Sequence, residues 1–247
     1  MEGPLGTAIS LIIEADPELL GIVWRSLRIS LSSTALTALI GLPLAALLSL
    51  TRFPGRRLIL TILNALMALP TVVLALALYA LLSRSGPLGY LDLLFTPGAI
   101  IIGQTLLTLP IVTSLAAAAI GQADPRLLET VRSLGAGPAR RFATLMAEQA
   151  PAILAAVLAG FGRAIGEVGV SMMLGGNIRR LTRVMTTAIA LETNRGAFEL
   201  AVALGIILIT IALGVNGGLR ALSERGRMER RRSEERRVGK ECTLRCR

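Results

Sequence analysis

Histidine is absent from this chain of 247 residues. That removes the imidazole general base, the Ser-His and Cys-His nucleophile pairs, and every metal site that depends on a ring nitrogen. Cysteine is almost as scarce. Cys242 and Cys246 sit among the last few residues and cannot staple the body of the chain. No glycine-rich phosphate loop ends in Gly-Lys-Ser or Gly-Lys-Thr. The one Gly-Lys pair, Gly239-Lys240, is followed by Glu241 and lacks the upstream glycine, so a Walker-type site for ATP hydrolysis is excluded. The N-terminus lacks a basic start, and no cleavable signal peptide is expected.

Lysine is reduced to Lys240 alone, so arginine carries nearly all of the basic charge behind a formal net value of +10. A basic total often suggests nucleic acid. Here the arginines lie in short loops between apolar runs, which is the pattern of membrane topology, and nucleic acid is not an expected partner. Hydrophobic residues make up 53% of the chain and charged ones 17%, with mean hydropathy +0.67. A soluble domain of this length rarely carries so little polar surface. Several apolar runs also exceed the roughly 18 residues that separate a membrane span from a buried helix.

These runs predict an all-α integral membrane protein with five spans. The first covers Ile22–Leu50, the second Leu58–Leu82 with Pro70 inside, and the third Ala99–Ile120 with Pro110 inside. The fourth, Pro151–Leu174, carries Arg163 and Glu167, and the fifth covers Leu200–Leu219. Leu5–Ile13 is apolar but too short to cross and is expected on the surface. Pro70 and Pro110 are expected as kinks or as bending points. Gly160, Gly162, Gly166 and Gly169 are expected to let another backbone approach. The arginines of Thr51–Arg57 and Gly121–Ala150 and those of the tail from Arg220 favour an N-out, C-in orientation. The outward loop Asn177–Phe198 runs against that trend, with Arg179, Arg180, Arg183 and Arg195.

Gly121–Ala150 reads GQADPRLLETVRSLGAGPARRFATLMAEQA and is polar enough to lie in water. Asp124 can cap a helix that begins at Pro125, where the missing proline amide costs nothing. That helix is expected to run to about Leu134, with Gly135 supplying a left-handed turn. A second short helix is expected from Pro138, running into the fourth span. Structureless loops of this length are uncommon unless they have a task.

This segment resembles the cytoplasmic loop of type I permease subunits of ATP-binding-cassette importers. That family carries Glu-Ala-Ala, three residues, then Gly, and further on Ile-x-Leu-Pro. Glu129-Thr130-Val131 stands in the first slot, Gly135 falls at the family spacing and Leu145 at the isoleucine position, whereas Ala147-Glu148 departs from Leu-Pro. The resemblance implies the type I importer permease fold. It also implies that residues from Asp124 to Glu148 dock on a separate ATPase, with Asp124, Glu129, Arg132, Gly135, Arg140 and Leu145 in the coupling surface. ATP and Mg2+ would then be bound by that ATPase, with no cofactor on this chain. An extracytoplasmic oxyanion-binding protein and a second copy of this chain are the other implied partners, and the prokaryotic inner membrane the implied location.

The resemblance extends from the first span to Leu219. Leu66–Gly89, Gly162–Ile178 and Thr182–Gly196 look most like permeases for tetrahedral oxyanions, closest to the tungstate branch, with the molybdate and sulfate branches as alternatives. A doubly charged anion disfavours a dry apolar route and needs hydroxyl, amide or water donors. Thr105, Thr108, Ser171, Thr182, Thr186 and Thr187 are the candidate donors. Arginines of the outward loop would attract an arriving anion, or would simply meet solvent and lipid headgroups. Arg163 and Glu167, four apart on one expected helix, are either part of the pathway or gate, or an internal ion pair that fixes packing.

An ATP-independent secondary carrier is the rival reading, usually marked by inverted repeats, and none are evident. An intramembrane hydrolase finds neither histidine nor paired intramembrane aspartates. The transmembrane domain is expected over residues 1–231. From Arg232, the run RSEERRVGKEC resembles the translation of a common sequencing adapter, and the tail is expected to be an artefact without a function.

Overall fold

The computed structural model describes residues 4–51, 53–123, 129–131 and 133–218. The tail from Arg232, the end of the fifth span at Leu219, Asp124 and Arg132 lie outside the described residues. What is described is helical, in the order α1 (Pro4–Ile13), α2 (Pro17–Leu50), α3 (Arg56–Met67), α4 (Thr71–Leu82) and α5 (Pro97–Gly121). After the loop come α6 (Pro138–Glu148), α7 (Ala150–Ile165), α8 (Gly169–Gly175), α9 (Met185–Arg195) and α10 (Phe198–Gly218).

Local chemistry sets the helix starts. Asp16 accepts hydrogen bonds from the amides of Glu18 and Leu19, each at 2.9 Å, and Pro17 takes the first turn, where its missing amide is harmless. Thr96 and Pro97 open α5 the same way. At 34 residues α2 is about 50 Å long, well beyond the hydrocarbon thickness of a bilayer. Its buried face is a stripe of small polar residues, Ser26, Ser30, Ser33, Thr34, Thr37 and Gly41, laid against α5. Small residues let two helices approach closely in a medium where hydrophobic burial between them drives nothing.

The spans differ from expectation in two places. The second is not one helix. α3 and α4 meet at 102°, and Pro70 precedes the first residue of α4 instead of kinking a continuous span. Hydropathy runs unbroken through Ala68–Pro70, but proline disfavours helical backbone in the residue before it. The fourth span also breaks. α7 ends at Ile165, and α8 starts at Gly169 after three non-helical residues. By contrast α5 passes through Pro110 without interruption.

Four apolar clusters hold the described bundle, the smallest being Ile29, Ile100 and Val184. Leu19, Ile22, Phe161, Ile165, Met185 and Leu204 pack at the end where α2 begins, and Ala8 of α1 joins them. Ala75, Leu78, Val170 and Leu174 join α4 to α8. Ala45, Ala46, Ala116, Ile120, Ile153 and Leu145 close the end where α2 finishes. α6 and the arginine-rich loop after α8 therefore sit at opposite ends of α2.

Candidate functional site

Glu167 occupies the break between α7 and α8 and is 4% exposed. Every polar group it owns is engaged across that break. One carboxylate oxygen pairs with Arg163 of the last turn of α7 at 2.5 Å, and the other accepts the amide of Val170 in α8 at 3.2 Å. Its own amide donates to the carbonyl of Ala164, and its carbonyl accepts the hydroxyl of Thr186 in α9 at 2.9 Å. The break is thus a clamp closed by one residue. The expected pairing of Arg163 with Glu167 is present, but Glu167 does not share a helix with Arg163. A neighbouring residue shows how tightly α4 approaches: a Cβ added to Gly169 would lie 3.3 Å from both Glu167 Oε1 and Thr71 Oγ1. The α3–α4 and α7–α8 breaks therefore meet at Thr71, Gly169 and Glu167.

The candidate hydroxyl residues are buried, and all but Ser171 donate to a protein carbonyl. Thr105 donates to the Ile101 carbonyl at 2.7 Å, and Thr108 to the Gln104 carbonyl at 2.8 Å while also meeting Thr37 Oγ1 at 2.8 Å. Thr182 donates to the Gly175 carbonyl at 2.5 Å and accepts the amide of Ile178 at 2.9 Å. Thr187 exchanges bonds with the backbone of Val184, each at 3.1 Å, which opens α9. Ser171 is wholly buried and accepts from Gln104 Nε2 at 3.4 Å. All six of these residues are buried in this conformation. They form a seam between helices, because a buried hydroxyl without a partner costs more than the bond it gains.

The residues that sequence reasoning passed over lie in the same seam and at the start of α2. Gln104 is the one amide in the apolar run of α5, a visible but unread signal. Glu18 receives Arg179 on both carboxylate oxygens and lies 3.9 Å from Arg183, which in turn reaches Glu192 at 3.6 Å. Arg25 donates to the Arg183 carbonyl at 3.3 Å. Three of the outward-loop arginines, Arg179, Arg183 and Arg195, are held by Glu18 and Glu192, which leaves Arg180 exposed to the medium. The hydrogen bond to Glu18 holds the Arg179 guanidinium above its usual range.

At the opposite end, Glu129, Leu134, Gly135 and Arg140 are exposed, Leu134 to 80%. Gly135 takes φ +73, the left-handed turn expected of it, and the amide of Ala136 donates to the Val131 carbonyl at 3.2 Å. α6 begins at Pro138 as expected but does not run into the next span: it meets α7 at 72°. Leu145, one of the expected coupling residues, faces inward and is 1% exposed against Ala45, Ala46, Ala116, Ile120 and Ile153.

A bundle of long apolar helices, interrupted between α3 and α4 and between α7 and α8, has the form of a multi-pass membrane protein. The family model for the binding-protein-dependent transport system inner membrane component matches residues 38–227, and the chain belongs to that family. The tungstate uptake system permease protein TupB of Peptoclostridium acidaminophilum is 35% identical over 217 residues, spanning 88% of this chain and 95% of that protein. TupB of Campylobacter jejuni is 39% identical over 209 residues, spanning 85% and 87%. The molybdenum transport permease ModB of Azotobacter vinelandii is 30% identical over 172 residues, spanning 66% and 76%. In fold, the chain is similar to the methionine ABC transporter MetNI in an inward-facing form, with TM-score 0.67 and 19% identity over 91% of this chain and 99% of that one. The chain is an importer permease subunit of the inner membrane.

Proposed function

We propose that this permease carries tungstate inward, driven by ATP hydrolysed on a separate ATPase subunit. Likeness to two tungstate permeases along more than four-fifths of the chain is the observation that carries the substrate, and molybdate is the close alternative. A five-span protomer leaves little room for a route of its own, so the path runs between two copies. An extracytoplasmic binding protein delivers the anion at the end where α2 begins. There the arginine-rich loop draws it in, and Arg163, Glu167 and the hydroxyls of Thr105, Thr108, Ser171, Thr182, Thr186 and Thr187 belong to the moving walls of the route.

The coupling surface is the segment from Asp124 to Glu148, with Glu129, Arg132, Gly135 and Arg140 towards the ATPase. Its construction supports this. Exposed Leu134 and Phe142 offer an apolar grip, while Leu145 is locked among α2, α5 and α7. A push on the exposed side therefore reaches the long helices without slack, since close-packed side chains transmit displacement. ATP and Mg2+ stay on the partner, which closes on ATP to open the route outward and resets on hydrolysis.

The test is competition uptake in cells stripped of other oxyanion importers. Tungstate should displace labelled molybdate at lower concentration than the reverse, with sulfate ineffective. Equal displacement by sulfate, or uptake that continues without any ATPase partner, would remove the proposal.

A further inference from the structure

Gln104 is 2% exposed and is the one side chain in the described seam that reaches three other helices. Its carbonyl oxygen accepts the Ser33 hydroxyl of α2 at 3.0 Å. Its amide nitrogen donates to the Ala164 carbonyl of α7 at 3.1 Å and to Ser171 Oγ of α8 at 3.4 Å. Those two acceptors stand on either side of the break that Glu167 clamps. The Ala164 carbonyl is also the acceptor for the Glu167 amide, at 3.2 Å. An interrupted helix leaves its last carbonyls short of partners, and in a membrane each needs one from the protein.

We infer that Gln104 is the positioning residue of the α7–α8 hinge, acting through Ala164 and Ser171 on Glu167, and that it sets which arrangement of the break is populated. The inference rests on the reading of this chain as an importer whose two broken helices move. A carboxamide suits the task because its two ends differ. The acceptor end is fixed to α2 by Ser33, so the donor end stays aimed at the break. With two acceptors available to one NH2 group, α8 can shift relative to α7 while one bond holds. Aliphatic residues give no such grip, and a hydroxyl is too short to span from α5 to both sides.

The experiment uses the complete transporter with its ATPase, purified in detergent and carrying Gln104→Met, which keeps length and removes both polar ends. Amide hydrogen exchange is followed along the whole chain. Peptides covering 164–171 should exchange about tenfold faster, the effect of losing one buried hydrogen bond from a two-state opening, while peptides of α2 and α10 hold the parent rate. Transport should fall by a similar factor in maximal rate with KM unchanged. Unchanged exchange at 164–171, or a uniform rise along the chain, would overturn the assignment. Should the Gln104→Met chain not assemble, Gln104→Glu, which keeps an acceptor for Ser33 and loses both donors, is read by the same outcomes. Because exchange requires no substrate, a parent transporter that fails to carry tungstate sinks the substrate reading and leaves this measurement standing.

Discussion

Arg163 and Glu167 are joined across the end of a helix, not along one: Arg163 closes α7, and Glu167 stands in the break beyond it with its second oxygen on the amide of Val170 in α8. Side chains four apart in an unbroken helix stabilise by a few tenths of a kcal/mol. Here the same spacing ties two helices together, and the carboxylate is buried while the guanidinium is partly open, at 4% and 37% side-chain exposure.

That asymmetry predicts the order of three variants. Arg163→Met strands a buried carboxylate and should destabilise the purified transporter by about 2 kcal/mol, below the cost of breaking a fully buried pair because Arg163 is already partly solvated. Glu167→Gln keeps an acceptor for Val170 and should cost less. The double variant Arg163→Met with Glu167→Gln should be more stable than Arg163→Met alone. Thermal unfolding in detergent measures all three, and a double variant less stable than either single one would contradict the clamp.

The arginines of the loop after α8 should separate by burial. Arg183 is 7% exposed and faces both Glu18 and Glu192, so Arg183→Met leaves buried Glu192 with the exposed Arg195 alone, while Glu18 keeps Arg179, and should cost roughly 2 kcal/mol. Arg179 is solvated, and Arg179→Gln should change stability little. Raising salt should weaken the Arg179 contact and leave the Arg183 contacts largely intact. Equal losses from the two substitutions would refute this division.

Much of this architecture was legible before any coordinates. Pro138 marks a helix start, Gly135 marks a turn, and the apolar runs mark spans, because each depends on neighbours in sequence. The broken helices were not legible. A hydropathy window sums apolar character and carries no information on backbone direction, so it passed through Ala68–Pro70 and Gly166–Val168. The hydroxyls were read as candidate donors to an anion: Thr105, Thr108 and Thr187 donate to carbonyls three or four residues back, whereas Thr186 reaches Glu167, 19 residues away along the chain. Gln104 shows the same limit: Ser33, Ala164 and Ser171 stand 71, 60 and 67 residues from it.

Glycines that look alike in sequence should behave differently. A Cβ at Gly160 would lie 2.5 Å from Val112 Cγ2 of α5, whereas one at Gly162 would stay 3.7 Å from Val215 Cγ1 of α10. Gly160→Val should therefore force α7 away from α5 and cost roughly 1–3 kcal/mol or abolish assembly. Gly162→Val should assemble at nearly the parental yield. Detergent-stable yield by size-exclusion chromatography distinguishes them, and indifference at Gly160 would show that the close approach is not needed.

The two sides of the 121–150 segment allow coupling to be tested apart from folding. Glu129 is exposed, and reversing its charge in Glu129→Arg removes nothing from the bundle, so insertion, yield and thermal stability should stay at the parental level. What should fall is co-purification of the ATPase and, with it, ATP-driven uptake. Leu145 is buried among alanines and isoleucines of α2, α5 and α7, and Leu145→Ala should cost about 2–4 kcal/mol through the lost contacts and the cavity left behind. That variant should hold the ATPase yet transmit its closure poorly, giving hydrolysis with less substrate moved per ATP. The pair thus predicts two different failures, one of docking and one of transmission. Full uptake by Glu129→Arg would detach the segment from the ATPase. Parental substrate-to-ATP stoichiometry in Leu145→Ala would show that force enters the bundle somewhere other than through this side chain.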